Sequence, residues 1–493
     1  MADKHVWKAL DRQVDIIFWL CSLQNKTFTP SRNLLLCFLL STGVFWCPAN
    51  LAADLPASPS IHRSIYFNHE QKELTELDRN ILLELIKLSR FNASFRLEAN
   101  YHWAGRSIVY PLAQECGTAA IFSNNIVDLS QRARGLDDPG LISIPSRKRG
   151  LESAITGAAV NGTSSAAELA QNAFVAWQAR QHGFSPGRSI TFVRTSLKTL
   201  DDLLSKREGM LGAYENGDSN SVTALEGRLL RHVRNQLLFE FKTWSVASRE
   251  TEWRENTFYS IDTARNFTSM SASILSLAGF SDKNLRGNAA ITSLTANSLA
   301  TLNPLIRDLA AVLMQKHQER KLAKLFPQDR PRTIDQLRHD WNDLEDLMSA
   351  ATKDPTDKRF VSEIAFLIKS SQVLDESLAS EETRIQRLRR VAAQQAIAGP
   401  IIGLAGLARS ICNTVSYFGY RSNSLVVNRI NFAGQISQTT GQAYSLIATP
   451  KAAISHAIYR QRLARTGKLP SQILKARLAR LDGIETQIRN TPL

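Results

Sequence analysis

The sequence predicts an all-α protein: long antiparallel helices in one or two bundles, closing on a basic amphipathic C-terminal region. Three observations carry this expectation. Apolar residues recur at steps of three and four along several long segments. Alternating, strand-like patterns are confined to two short isolated runs, 189–194 and 424–428. Charge is gathered at one end: residues 384–493 hold sixteen Lys and Arg, opposed only by Asp482 and Glu485, in a chain whose net charge is +15.

At 493 residues the chain is too long for one typical domain, and with 43% apolar residues it can bury a sizeable core. It divides into an N-terminal extension with a signal peptide or anchor (1–53), a helical body (54–383) and the basic C-terminal region (384–493). Residues 34–46 form an uncharged, mostly apolar run after Lys26 and Arg32. Pro48 ends the run, and Leu51-Ala52-Ala53 offers a small-residue cleavage site before Asp54. This is the order of an export signal, and the run is short for a membrane span. The residues ahead of it are more than a signal needs, which suggests a later start, although no Met lies between Met1 and Met210. Cleaved or retained as an anchor, the segment places the bulk of the chain in the periplasm, cell envelope or medium. A buried helix of a cytosolic protein is the competing reading.

Residues 54–60, with two prolines among small residues, read as a linker. Leu74, Leu77, Ile81, Leu85 and Leu88 then mark one apolar stripe, predicting a helix over 69–90 with Glu73, Glu76, Asp78 and Glu84 elsewhere on the wheel. Residues 108–129 are apolar and small, interrupted by Pro111, and 137–140 is a turn. Residues 147–181 are Ala-rich and helical despite Gly157 and Asn161-Gly162, ending at 183–187. Leu197, Leu200, Leu203 and Leu204 mark the next helix, and 216–218 another turn. A long helix starts near Ser221, with Leu225, Leu229, Val233 and Leu237 inside and Arg228, Arg231, Arg234 and Lys242 in solvent. Two more amphipathic patterns cover 333–348, with Thr333 as N-cap, and 360–378.

Two Gly/Ala-rich stretches, 271–279 and 399–406, share an Ile-x-x-Leu-Ala-Gly core. Residues 391–408 carry no charge, and Gly399 and Gly403 fall on one helix face, with Gly406 close by. Such spacing lets a second backbone approach closely. The segment is read as membrane-inserting or helix-docking, with 270–306 as its partner, against the plainer reading of a tightly packed soluble helix.

In the tail, Ile473, Leu474, Leu478, Leu481, Ile484 and Ile488 make an apolar face, with Lys475, Arg477, Arg480 and Arg489 placed off it. Arg460, Arg462, Arg465 and Lys468 precede it. A basic amphipathic helix suits an anionic membrane surface or envelope polymer. It equally suits packing on the acidic helix near 73–84, or on a helical protein partner. Nucleic acid is disfavoured, because Tyr459 is the only aromatic residue in 451–493.

The sequence offers no catalytic, metal or cofactor-binding residues to name. His69-Glu70-Gln71-Lys72-Glu73 starts like a zinc-protease helix, but Glu73 stands where the second His belongs. His339, Asp340 and Asp343 read as solvated polar residues of an amphipathic helix, and no nucleophile-elbow, phosphate-loop or dinucleotide motif occurs. Asn92, Asn161 and Asn266 open glycosylation-type triplets. Of five cysteines, Cys116 and Cys412 lie beyond the signal; they form one disulfide or remain two buried thiols. The expectation is an exported, non-enzymatic cell-envelope protein with a scaffold or interaction role, held to an anionic surface by its tail. The alternatives are a pore-forming-like protein inserting 391–408, and a hydrolase whose site the sequence does not place.

Overall fold

Few breakers and many 3.6-residue patterns give long helices. The computed structural model describes residues 69–99, 106–212, 222–327, 402–420, 422–467 and 469–490, and among these every regular element is helical. In chain order they are α1 (His69–Ala99), α2 (Arg106–Arg134), a 3-10 turn (Pro139–Leu141), α3 (Ile144–Gln181), α4 (Pro186–Gly212) and α5 (Val222–Ala278). Then come α6 (Leu285–Leu325), α7 (402–419), α8 (Ser424–Arg465) and α9 (Pro470–Asn490).

Local chemistry sets several boundaries. The Ser143 hydroxyl accepts from Ser146 N at the start of α3, with a proline in the first turn. Gly183, at φ 87°, takes the left-handed conformation that stops α3. Asn423 caps α8 by accepting from Val426 N at 3.1 Å. Pro111, Pro304 and Pro450 lie inside α2, α6 and α8 without ending them. The two strand-like runs are helical, in α4 and α8. Ile190 and Val193 lead into Leu197 and Leu200 at steps of three and four, so a helical face outweighs a short alternation.

Two kinds of interior result. The first is apolar: Ile81, Leu85 and Leu88 of α1 meet Val193 and Leu200 of α4, Leu238 and Phe241 of α5, and Leu322 at the end of α6. Leu481 and Ile488 of α9 join the same core, so the tail helix is packed into it. The second interior, among α2, α3, α6, α7, α8 and the C-terminal part of α5, is small and polar. Its fully buried apolar side chains are alanines, among them Ala154, Ala158, Ala289 and Ala296, beside Gly157, Asn161, Ser165, Ser410 and Gln435. The glycines let helices close in. A Cβ at Gly403 would lie 2.8 Å from Thr301 Cα, and one at Gly434 would lie 2.8 Å from Cys412 Cβ. Inside α3, a Cβ at Gly162 would lie 3.3 Å from the Phe267 ring, and one at Gly157 2.4 Å from the Gly117 carbonyl.

The α1 helix extends to Ala99, past the expected end. The expected helices at 333–348 and 360–378, the turn at 216–218, the linker and the export signal lie outside the described residues.

Candidate surface-binding region and buried charge clusters

The tail's cations divide by direction. Arg462, Arg465, Lys475 and Arg480 are exposed, and Arg460 is half-buried on α8. Lys468 lies outside the described residues. Arg477 points inward and is 6% exposed. It follows Leu474 by three residues and precedes Leu481 by four, which puts it on the apolar face of α9 rather than off it.

There it shares a carboxylate. Glu240 Oε1 accepts from Arg477 Nη1 and from Arg96 Nη1, both at 3.2 Å, and Arg477 Nη2 donates to Ser89 Oγ at 2.8 Å. The Arg96 guanidinium lies 4.7 Å from the centroid of the Trp244 ring. This buried triad ties α9 to α1 and α5. The α9 helix does dock on α1, but not by pairing its arginines with the acids near 73–84. Two of those acids face α4 instead: Arg207 Nε donates to Asp78 at 2.7 Å, and Lys206 lies 3.7 Å from Glu73, while Glu84 pairs with Lys87 on its own helix. The α1–α9 rim pairs run the other way, from Arg90 of α1 to Asp482 and Glu485 of α9, both at 2.5 Å. Arg234, expected in solvent, is likewise buried on Asp201, with bonds of 3.1 and 2.8 Å.

A second cluster centres on Asp128 of α2. Its carboxylate accepts from Arg132 Nε at 2.8 Å and Arg147 Nε at 2.9 Å, and Arg409 Nη2 of α7 lies 3.6 Å away. Burial opposes the charge, but the three guanidiniums, Arg132 foremost, hold the Asp128 carboxyl far below the usual carboxylate range. Burial brings the Arg409 guanidinium down to about 10 despite Asp128, with Arg132 and Arg147 adding to the effect. Arg409 also donates to Asn125 Oδ1 at 2.9 Å and to Gln438. The cluster therefore clamps α2, α3, α7 and α8 together.

Nearby, Asp262 of α5 accepts from Ser165 Oγ at 2.6 Å, Asn266 Nδ2 at 3.0 Å and Arg265 Nη1 at 3.0 Å. Burial, and then the Asp262 charge, push the Tyr110 phenol well up. Glu115 is different. Burial raises its carboxyl to about 7, opposed by a hydrogen bond with Thr449 of α8, and its Oε2 is buried with no hydrogen-bond partner.

An open hollow of about 850 Å³ is lined by Phe91, Phe184, Phe192, His182, Ser185 and Arg188. His182 Nδ1 lies 3.2 Å from Glu98 Oε2. Ser185 Oγ instead accepts from Arg188 N at 3.4 Å, capping α4, and no hydrogen bond joins it to His182. Among the described residues no three His, Cys, Asp or Glu side chains gather as metal ligands. His69 opens α1, and His339, Asp340, Asp343 and His102 lie outside the described residues.

Gly403 and Gly406 of α7 face α6, against Thr301 and Asn297; Gly399 lies outside the described residues. Both contacting residues of α6, Asn297 and Thr301, fall within 270–306. Among the described residues no helix is long and apolar enough to cross a membrane. Cys116 is exposed on α2, not buried, and Cys412 is half-buried on α7; no bond joins them. The triplet asparagines Asn92, Asn161 and Asn266 are all buried, at 2–3% exposure, so the folded chain offers none of them to a glycan.

Sequence reasoning missed both buried clusters. The available signal was an arginine at an apolar-face position, as at Arg477. Its partner Glu240 lies 237 residues away, a pairing that periodicity does not reach. Comparisons with protein-family models, curated proteins and solved structures return no match.

Proposed function

We propose that this is an exported, non-enzymatic helical protein of the cell envelope, with a scaffold or interaction role, attached to an anionic membrane surface through its basic C-terminal region. The carrying observation is directional charge. From 402 to 481 there is no carboxylate, and Lys451, Arg462, Arg465, Lys475 and Arg480 are all exposed. Arg409 and Arg477, turned inward in this stretch, meet the body's carboxylates Asp128 and Glu240, so the outward set keeps its surplus for a partner. Antiparallel packing supports a rigid carrier for it. Gly287 meets Tyr417 and Thr301 meets Gly403, while Arg409 meets Gln438 and Ser416 meets Asn431, so residue numbers run oppositely at both contacts.

Each cation near an anionic leaflet contributes about 1 kcal/mol. Replacing Arg462, Arg465, Lys475 and Arg480 with Glu should weaken co-sedimentation with phosphatidylglycerol vesicles by at least roughly a thousandfold at low salt. High salt should weaken the parent in the same way. Equal binding by parent and variant would refute attachment through the tail.

A further inference from the structure

The small, polar interior has an outward consequence. Along α6, Leu302, Leu305, Leu309 and Leu313 follow at steps of three and four, and all are exposed, Leu305 by 67% and Leu313 by 60%. On α7, Leu404, Ile411, Val415 and Phe418 share one face, with Phe418 61% exposed. On α8, Ile436, Tyr444, Ile447, Ile454 and Ile458 do the same, with Ile447 72% exposed. Along these stretches large apolar side chains turn outward while Ala, Gly, Ser and Asn turn inward; Leu322, at the end of α6, joins the apolar core instead. A water-facing helix has the reverse pattern. Small residues between helices and large aliphatics outside are the arrangement of helices that meet lipid.

The stripes lie on neighbouring helices, that of α6 starting where Thr301 meets Gly403 and that of α8 on the side away from Gly434 and Gln438. The α7 helix is bounded on one side by α6, through Gly403, Gly406 and Ser410, and on the other by α8, through Arg409, Cys412 and Ser416. Its stripe lies between these contacts, facing out. The opposed numbering at both contacts makes α6 and α8 point the same way. The stripes run about 17 Å on α6 and about 33 Å on α8 at 1.5 Å per residue. Each then turns basic without leaving its face: Lys316, Arg320 and Lys324 continue the α6 series, and Arg462 and Arg465 continue the α8 series. Both basic ends therefore lie at the same end of the layer.

We propose that the outer face of α6, α7 and α8 seats this protein on an anionic phospholipid bilayer, its aliphatic side chains entering the boundary between headgroups and acyl chains and its basic end lying on the phosphates. This rests on the anionic-surface reading above and names the contact surface. A second copy fits less well. It would bring the same cations to the rim, with no carboxylate from 402–481 to meet them. The apolar stripes exceed what a purely electrostatic contact needs.

The test uses the full chain and phosphatidylglycerol/phosphatidylcholine vesicles doped with a phospholipid bearing a diazirine on its acyl chain. After irradiation, adducts are mapped by mass spectrometry. Expected are adducts on peptides covering 302–313, 404–418 and 436–458. They should fall at least tenfold in the Leu305→Asp, Leu309→Asp, Ile447→Asp variant, whose altered positions are exposed and whose helicity should match the parent. Binding that survives 0.5 M salt should be lost in the same variant. Adducts absent from these helices while the tail-reversal variant still loses vesicle binding would overturn the apolar-face proposal and leave the tail reading intact. No binding to anionic vesicles at all would overturn both. A lipid-free dimer dissolved by the Asp substitutions, with no adducts on α6–α8, would assign the face to a second copy and overturn the proposal.

Discussion

Glu240 holds the tail helix in place, and replacing it with Gln should release that helix. The carboxylate is 5% exposed and accepts from two guanidiniums through one oxygen, each bond 3.2 Å long. The two donor nitrogens are therefore no more than about 6 Å apart, where like charges repel by about 3 kcal/mol at an effective dielectric of about 20. Gln keeps the shape and one acceptor but removes the compensating charge, and breaking a buried pair in this way costs about 3–5 kcal/mol. The remaining hold on α9 is its apolar face together with the exposed pairs of Arg90 with Asp482 and Glu485, which are worth little each. Leu474, Leu481 and Ile488 are buried, at about 1.5–3 kcal/mol each. The helix should thus stay folded on the body while opening more often. Hydrogen exchange of the 470–490 amides, in the regime where exchange follows the opening equilibrium, should speed up by roughly a hundredfold or more. Adding Arg477→Met removes the surplus cation and supplies apolar volume, so the double variant should recover most of the protection. Exchange within threefold of the parent in Glu240→Gln, or no recovery in the double variant, would refute the triad as the lock.

Two further outcomes follow from the carboxyl groups of α2. Glu115 titrates near 7 when folded and about 4.5 when unfolded, so the folded chain binds more protons between those values and stability falls as pH rises through that window. Glu115→Gln should remove this dependence and, after allowance for its partial exposure, stabilise the protein at pH 8 by about 1–2 kcal/mol, read as a higher denaturation midpoint. Asp128 has the opposite sign. Its depressed folded value means the unfolded chain binds more protons as pH drops below about 4, so its contribution is fully present at neutral pH and is lost only in strong acid. Asp128→Asn leaves buried Arg132 and half-buried Arg147 and Arg409 without their carboxylate and should cost about 3–5 kcal/mol at pH 7, seen as a lower thermal midpoint.

The apolar core was largely legible in the sequence. Leu77, Ile81, Leu85 and Leu88 occupy it as their spacing requires, and so do Leu197, Leu200, Leu229, Val233 and Leu237. Large aliphatics at 3.6 spacing next to charged residues leave only one face to bury. The charged residues were less legible, because a guanidinium on an apolar face is tolerated only where a distant carboxylate meets it. Arg477 and Arg234 both look solvated until Glu240 and Asp201 are placed opposite them. The capping residues Ser143 and Asn423 were readable in principle, since each is a small polar residue just ahead of a long helix.

Periodicity shows that a helix has an apolar face but not which way that face points. In α1 and in the Leu302–Leu313 stretch of α6 the spacing is the same, yet the first turns in and the second turns out. In water, leaving a leucine outside forfeits about 1.5–3 kcal/mol, so four of them on α6 represent a substantial opposing term. What overrides it is the opposite face. Gly287 meets the Tyr417 ring, Thr301 meets Gly403 backbone to backbone, and Ser293 and Asn297 bond across to α7, with Asn297 Nδ2 donating to Ser410 Oγ at 2.8 Å and Ser293 Oγ lying 3.0 Å from the same atom. Turning the leucines inward would force α6 and α7 apart and strand these polar groups. An apolar environment on the outer face removes the opposing term and leaves the small-residue contact uncontested. The orientation of α6 is thus most favourable on a lipid surface, which is where the exposed stripes and their shared basic end would place it.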